Sequence, residues 1–278
     1  MPQDVDQDVK AIQEWLAREP HLPENMDDIV IKKFLHSCYG SLERTKKCID
    51  RFCTTRSQMS EIYTNRDPLA DKIQGCFSTT SISTYKIEDS EMLIHQLDDP
   101  ALEKFDFYGL LKSFLMIADL WIKTHLFYPE GHIIVLDMKS FSLRMLPRVN
   151  IMYFRDFILF LLEGMPVRVK KIYCINAPSY YEKLYALVKP VIPAEICDII
   201  TFYSDSVSLH KVIDKQYLPE EYGGDAPSMI EQSKGWVDKV IAERKMYLDD
   251  NMWRADLKLK TKGSDSAMSG SFRTLAID

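Results

Sequence analysis

The sequence predicts an α/β protein in which an all-helical N-terminal domain precedes a domain built on a mostly parallel sheet. Two observations support this class. Apolar residues recur at helical spacing through about residue 60, and from about residue 75 short apolar segments alternate with longer amphipathic ones. Such alternation favours parallel strands joined by right-handed helical crossovers. The expected divisions are 1–74, 75–249 and a polar, flexible tail at 250–278.

The N-terminal domain contains three predicted helices. Apolar residues at helical spacing place them at 5–18, 27–38 and 41–60. Pro20 and Pro23 end the first helix, and Ser41 is a suitable N-cap for the third. The polar stretch 64–71 closes this unit.

The second domain alternates strands with helices. Strands are predicted at 91–97, 132–137, 171–175 and 200–203. Helices are predicted at 106–127, 148–163, 180–188, 194–199, 206–214 and 227–249. The segment 78–85 is polar and turn-rich, and no strand is predicted there. Gly164 is a candidate C-cap for the helix before it.

Composition and charge limit the possible classes of protein. The chain is 46% hydrophobic and 27% charged, as in ordinary globular proteins, and its net charge of −6 argues against bulk nucleic-acid binding. The six cysteines form no C-x-x-C pair. The first residues lack a signal-peptide pattern. The longest apolar region, 107–127, contains Lys112, Asp119 and Lys123, which oppose a membrane span. We therefore expect a cytoplasmic protein.

Short catalytic motifs are absent. The chain contains no G-x-G-x-x-G, P-loop, G-x-S-x-G or H-E-x-x-H sequence, and its six histidines are scattered. No metal site and no cofactor are expected, and an enzyme is not predicted. The inward apolar faces of the strands and helices fit either a filled core or a cavity for an apolar ligand, and periodicity does not separate the two.

Four ordered motifs add a family resemblance. They are Gly131–Asp137 (GHIIVLD), Pro166–Pro178 (PVRVKKIYCINAP), Lys189-Pro190 and Leu218–Gly224 (LPEEYGG). With them, residues from about 75 to 225 resemble the CRAL-TRIO lipid-binding family, in the animal branch that contains tocopherol and retinaldehyde carriers. The helical region before them is similar to the family's N-terminal accessory domain. The resemblance implies a sheet that floors a lipid pocket beneath a gate helix within 177–200.

The resemblance also implies which residues line the pocket. The matching wall positions are Phe114, Ala118, His132, Ile134, Leu136, Phe157, Phe160, Leu161, Met165 and Ile172. The matching inner face of the gate is Leu184, Val188, Val191 and Ile192. His132 is the polar group expected on the wall. Two roles stay open for it: a hydrogen bond to a ligand hydroxyl or carbonyl, and a satisfied histidine at the start of a strand.

A headgroup site is implied only weakly. The tocopherol branch binds phosphoinositides with a basic cluster, and Arg168 and Lys170 match two of its positions. The other matched positions are Cys38, Glu195 and Ile199, none of which is basic. Because a pair of cations binds phosphate less strongly than a full cluster, release triggered by phosphoinositide is not established by this pattern.

Two functions follow from the resemblance. The first is an intracellular carrier that binds one small hydrophobic ligand, such as a retinoid, tocopherol, carotenoid or other lipid, and transfers it to or between membranes. The alternative is a phosphoinositide-reading regulatory or adaptor module without net lipid transfer. The expected partners are the ligand and a transient membrane surface, with no nucleic acid. We expect a monomer that is cytoplasmic and in part peripherally associated with membranes.

Overall fold

The computed structural model describes residues 5–192 and 194–260, without the side chains of Leu184, Leu187, Val188 and Val191. The predicted fold class is confirmed, because a helical N-terminal region is followed by a five-stranded, mostly parallel sheet. The α-helices are α1 Val5–Leu16, α2 Asp28–Ser37, α3 Leu42–Gln58, α4 Ser60–Tyr63, α5 Asp71–Thr79, α6 Phe107–Thr124, α7 Ile151–Glu163, α8 Tyr181–Val188, α9 Ala194–Cys197, α10 Met229–Ala242 and α11 Arg244–Tyr247. The strands are β1 Thr80–Ile87, β2 Ser90–Leu97, β3 His132–Asp137, β4 Val169–Ile175 and β5 Ile200–Phe202.

The sheet follows chain order from β1 to β5. Strands β2 to β5 run parallel to one another, and β1 pairs with β2 in the antiparallel direction. None of the described helices is both long enough and apolar enough to cross a bilayer.

Strand β1 occupies the segment in which no strand was predicted. Its residues alternate in burial, and Ile82 is fully within the core while its backbone N–H donates to Ser233 Oγ of α10 at 2.9 Å. The hairpin to β2 turns at Glu88, which has a φ of +52° in place of the usual asparagine or glycine. Serine and threonine favour turns in isolation, so tertiary pairing with β2 and α10 decides this strand.

The N-terminal helices share one core with α6 and α7. The Ser41 hydroxyl accepts a hydrogen bond from Arg44 N at 3.4 Å, which confirms Ser41 as the N-cap of α3. From α3, Phe52 stacks on Phe160 of α7 at a centroid distance of 6.0 Å. The helical unit is therefore joined to the sheet domain by apolar contacts along α7.

A buried ion cluster also joins the N-terminal helices to α6. Arg56 of α3 donates two hydrogen bonds to the Asp119 carboxylate of α6, at 2.7 and 2.9 Å, and Arg66 also donates to it. All three side chains are essentially unexposed. Burial alone would raise the pKa of Asp119, but the two guanidinium groups outweigh it and hold that pKa below its usual value.

The segment after α11 returns to the N-terminal helices. Residues 250–260 belong to the expected polar tail, yet the Trp253 ring packs on Phe52 at 5.7 Å and is buried. Ala255 N donates to Cys53 O at 3.1 Å, and Lys260 pairs with Asp50 at 3.1 Å. This part of the chain is therefore ordered against α3; residues 261–278 lie outside the described residues.

Replacement of Asp119 by alanine should strongly destabilise the protein, because it leaves two buried guanidinium groups without an anion. Breaking a buried ion pair in this way costs about 3–5 kcal/mol. Urea unfolding followed by circular dichroism measures the change in the free energy of unfolding.

The matched control for this variant is Asp156→Ala. Asp156 is exposed and pairs with Arg155 at 2.6 Å. Loss of an exposed pair should cost less than about 1 kcal/mol. Equal and small losses for the two variants would contradict the role assigned to Asp119.

Candidate ligand-binding site

One face of the sheet carries two continuous rows of mainly apolar side chains. The strand register aligns Leu93, Ile134, Ile172 and Ile200 in one row and His95, Leu136, Cys174 and Phe202 in the next. Residues paired across neighbouring strands point to the same face of a sheet. Neither row contains a charged residue, so this face offers an apolar floor with one polar ring.

Three helices border this floor. Phe114 of α6 approaches the His95 ring edge-on at 6.1 Å and meets Phe157 of α7 at 6.0 Å. Across the floor, Tyr181 of α8 stacks on Phe202 at 4.7 Å, and Tyr185 approaches the same ring at 5.1 Å. The space bounded by the two rows, α6, α7 and α8 is called the apolar cleft below.

Side chains around the apolar cleft are not packed to core density. Those that remain half-buried include Leu93, Phe114, Ala118, Ile134, Leu136, Ile158, Leu161, Ile172 and Phe202. On the other face of the same strands, Met92, Ile94, Val135 and Ile175 are 0% exposed, beneath the segment 207–229. Because protein interiors are normally close-packed, half-buried apolar walls that face one another mark unfilled space. Such walls with few polar groups are typical of small-molecule sites.

Most predicted wall residues lie on the apolar cleft, but three do not: Phe160, Met165 and His132. Phe160 is fully buried against the rings of Phe52 and Tyr63, at 6.0 and 5.9 Å. Met165 is buried in the same core. The physical reason is the rotation of α7, which directs Phe160 towards α3 while Leu161 remains half-buried on another side of the helix. The expectation that Phe160 and Met165 line the pocket is therefore corrected.

His132 lies away from the apolar cleft. It is buried at the start of β3, where its Nδ1 accepts a hydrogen bond from Arg168 N at 3.1 Å and its ring meets Trp121 at 5.6 Å. Burial lowers the pKa of His132 to about 4. Its Nε2 has no hydrogen-bond partner among the described residues and faces a space of about 10 Å³, enough for about one water molecule and far too small for a lipid.

The polar ring of the apolar cleft is His95, which the sequence analysis did not select. Burial lowers the pKa of His95 to about 4, although the side chain keeps some exposed surface. That combination is expected of a group surrounded by protein but bordering a cavity. Strand β2 buries Met92 and Ile94 on its other face, and parallel strands that are covered on both faces have two inward rows of side chains. The register with Leu136 is the signal that reveals His95.

The segment predicted to form the gate begins at a tightly held turn. Asn176 adopts a φ of +51°, and its Nδ2 donates to Asp137 Oδ1 at 2.9 Å. Asp137 also accepts hydrogen bonds from Gln96 Nε2 at 2.8 Å and from Tyr222 Oη at 2.9 Å. One buried carboxylate at the end of β3 therefore ties β2, the LPEEYGG motif and the start of the gate together.

The rest of the predicted gate segment consists of α8, a 3-10 turn and α9. Ile192 is half-buried after the turn at Lys189–Val191. The side chains of Leu184, Val188 and Val191 lie outside the described residues, so the inner face assigned to them stays a prediction.

Arg168 is engaged within the protein rather than free for a headgroup. Its Nε donates to Ser37 O at 3.3 Å, its Nη2 donates to His36 O, and its Nη1 donates to Glu130 at 2.7 Å. The guanidinium also covers the Tyr39 ring at 3.8 Å, and the side chain is 9% exposed. Arg168 thus satisfies the last carbonyls of α2, which is a structural role.

The remaining positions of the expected headgroup cluster do not form a basic surface. Lys170 is exposed, and its stem lies over Gly131. Glu195 is exposed on α9, and Ile199 is half-buried before β5. The Cys38 thiol is half-buried, and a hydrogen bond with the Cys48 side chain lowers its pKa to about 7.

Comparison with known families and proteins places this geometry in context. Residues 84–224 match the CRAL/TRIO domain, about half of the chain, and residues 1–73 match the Pinta-like UBA domain. The Alpha-tocopherol transfer protein-like protein of Mus musculus is 22% identical over 247 residues, which are 87% of this chain and 71% of that protein. Its Homo sapiens counterpart is 23% identical over 223 residues, 79% and 65% of the two chains.

Two further similarities are more distant or shorter. Clavesin-1 of Rattus norvegicus is 26% identical over 122 residues, 44% of this chain and 34% of that protein. The crystal structure of Sfh5 superposes with a TM-score of 0.55 at 11% identity, covering 88% of this chain and 99% of Sfh5. At that identity the second likeness shows a shared fold.

Acid should destabilise the protein through its two buried neutral histidines. His95 and His132 have pKa values lowered to about 4, against about 6.5 in an unfolded chain. Between those values the unfolded state binds more protons, so stability is lost as pH falls from about 6.5 to 4, by up to about 1.4 kcal/mol per pH unit for each histidine. Urea unfolding at a series of pH values measures this slope.

Histidine variants distinguish the contribution of the two histidines to this pH dependence from the contribution of carboxylates that titrate in the same pH range. His132→Gln and His95→Gln should each flatten the dependence on pH. An unchanged slope in both buried-site variants would exclude the histidines as its cause.

Proposed function

This chain belongs to the CRAL/TRIO family, which is known for lipid binding and transfer, and from that premise we propose that it carries one small hydrophobic ligand in the apolar cleft. The observation that carries the proposal is the contrast between the two faces of the sheet. Four side chains of one face are completely buried, while their neighbours Leu93, Ile134, Leu136 and Ile172 stay half-buried. A ligand would complete the packing that the chain itself leaves open.

The driving force in this proposal is burial of apolar surface. It contributes roughly 25 cal/mol per Å² of area removed from water, less the cost of ordering ligand and gate. Because neither floor row carries a charge, a mainly apolar molecule is favoured. Members of this family are in general non-enzymatic, and the carrier proposed here needs no bond-breaking step.

Delivery requires a surface that meets the membrane. The segment 139–155 contains four basic residues and no acidic one, and it exposes Phe141 by 36%, Leu143 by 49% and Met152 by 53%. It adjoins the gate, since Tyr180 Oη donates to Phe141 O at 2.9 Å. Exposed apolar side chains among cations suit an anionic bilayer surface. We therefore assign docking to this segment and ligand release to movement of α8 beside it.

The alternative, a phosphoinositide-reading adaptor, has less support. The guanidinium of Arg168 is already bonded to α2 and to Glu130, so a headgroup would have to displace protein partners. Vesicle binding without lipid exchange is the outcome that would favour the adaptor over the carrier.

Filling the apolar cleft should abolish carriage without unfolding the protein. Native mass spectrometry of the purified full chain identifies a co-purified ligand, and transfer of a fluorescent tocopherol analogue between phosphatidylcholine vesicles measures exchange. Ile134→Phe combined with Ile172→Phe should reduce bound ligand and transfer rate by at least about tenfold, because two added rings occupy the space of the ligand.

The control is Ile230→Phe, a change of the same size at a side chain that is 59% exposed. It should leave ligand content and transfer unchanged, and thermal melting checks that all variants are folded. Wild-type levels of ligand and exchange in the filled variant would overturn the assignment of the cleft.

Phe141→Asp and Leu143→Asp should weaken membrane association. Each removes an apolar side chain worth about 1.5–3 kcal/mol when fully buried, so co-sedimentation with phosphatidylcholine–phosphatidylserine vesicles should fall about tenfold or more. Leu126→Asp, at a side chain 74% exposed outside the segment, is the control and should bind as the wild type. Similar losses for all three variants would argue against a localised docking segment.

A further inference from the structure

His95 supplies the polar side chain of the floor rows of the apolar cleft. It lies in the middle of the sheet, paired with Ile82 on one side and Leu136 on the other. Its ring meets Phe114 of α6 at 6.1 Å, and the side chain is half-buried. In the part of the chain that the structure describes, the ring bonds with its own backbone but makes no side-chain hydrogen bond to another residue. One ring nitrogen therefore has bonding capacity that the protein leaves unused.

The protonation state of His95 defines what it can bind. Burial lowers its pKa to about 4, so near neutral pH the imidazole is uncharged. A neutral imidazole has one nitrogen that donates and one that accepts. It therefore suits a hydroxyl group, which does both, or a carbonyl oxygen, which accepts.

The surroundings of His95 oppose a charged ligand. Its row continues through Leu136, Cys174 and Phe202, and the parallel row beside it is wholly aliphatic. The nearest carboxylate in the strand pairing, Asp137, is directed away and is bonded to Gln96, Asn176 and Tyr222. A carboxylate or an ammonium group placed on this floor would be buried without a counter-ion, which is costly.

We propose that His95 is the specificity-determining residue of the apolar cleft, holding the polar end of the ligand and selecting an apolar alcohol, aldehyde or ketone over the corresponding free acid. This inference rests on the proposed carrier function. The remainder of the ligand lies along the aliphatic row, which distinguishes polar ends poorly, because a site discriminates strongly only where a buried polar group would be left unpaired.

The test uses one hydrocarbon skeleton with three polar ends. All-trans-retinol, all-trans-retinal and all-trans-retinoic acid are titrated into the delipidated full chain at pH 7.5, with tryptophan quenching as the readout. The wild type should bind the alcohol or the aldehyde at least about tenfold more tightly than the acid. That ratio corresponds to one hydrogen bond gained and one uncompensated charge avoided.

The variant His95→Phe keeps a planar ring and removes both hydrogen-bonding nitrogens. It should lower affinity for the neutral retinoids about tenfold and leave affinity for the acid unchanged, so that selectivity falls about tenfold to the part that burial of the carboxylate charge supplies. His95→Gln should restore part of it. A purely structural role would move all three affinities together, and thermal melting of each variant reports separately on folding.

The outcomes separate this inference from the carrier proposal. Equal binding of the three retinoids, or selectivity that is unchanged in His95→Phe, overturns the role of His95 while the carrier stands. If no retinoid binds, the test is the polar end of the co-purified ligand, as identified by native mass spectrometry. A neutral hydroxyl or carbonyl end supports the role of His95, and a charged end overturns it. If no probe binds and no ligand co-purifies, the carrier proposal itself fails.

Discussion

Asp119 sits where three parts of the chain meet. Its single carboxylate, on α6, pairs with Arg56 of the helical region and with Arg66 of the connection that follows. The surplus positive charge is shared with the Tyr63 ring, 4.0 Å from Arg56, and with Trp253 at 5.3 Å. Because α6 also carries Phe114 and Ala118 on another side, the position of one cleft wall depends on this buried cluster. Removal of the Asp119 carboxylate would leave two buried guanidinium groups without this counter-ion.

The second constraint is that side chains on the two faces of the sheet are buried to different extents. The segment 207–229 buries Met92, Ile94, Val135 and Ile175 on one face, although Ile133 and Tyr173 of that face stay half-buried. On the other face, α7 turns Phe157 and Phe160 into the core and leaves Ile158 and Leu161 half-buried. An open apolar wall forgoes dispersion contacts, so the unliganded protein is less well packed there. A ligand that fills the cleft supplies those contacts and stabilises the folded state by mass action.

Sequence patterns were sufficient for the elements that have strong periodicity. The helices around Phe34, Phe52 and Phe114, and the strand beginning at His132, follow from apolar spacing alone. Strand β1 did not, because Ser- and Thr-rich segments have weak preferences that pairing overrides. Arg168 resembled half of a headgroup site until the structure placed it on the carbonyls at the end of α2. Its charge was readable from the sequence, whereas its partners, 131 residues away and more, were not.

The sequence by itself determined the fold class, the motifs that carry the family relationship, and the set of apolar residues that turn inward. Tertiary structure decided which inward residues meet a partner and which meet open space. Phe160 and Leu161 are adjacent in sequence and equally apolar, yet only Phe160 is closed off, by Phe52 and Tyr63. Likewise His132 and His95 are both buried neutral rings, but strand pairing places only His95 beside Phe114 on the cleft floor. Periodicity predicts the direction in which a side chain points. The space between that side chain and the opposite surface depends on how the helices pack, which the sequence pattern does not contain.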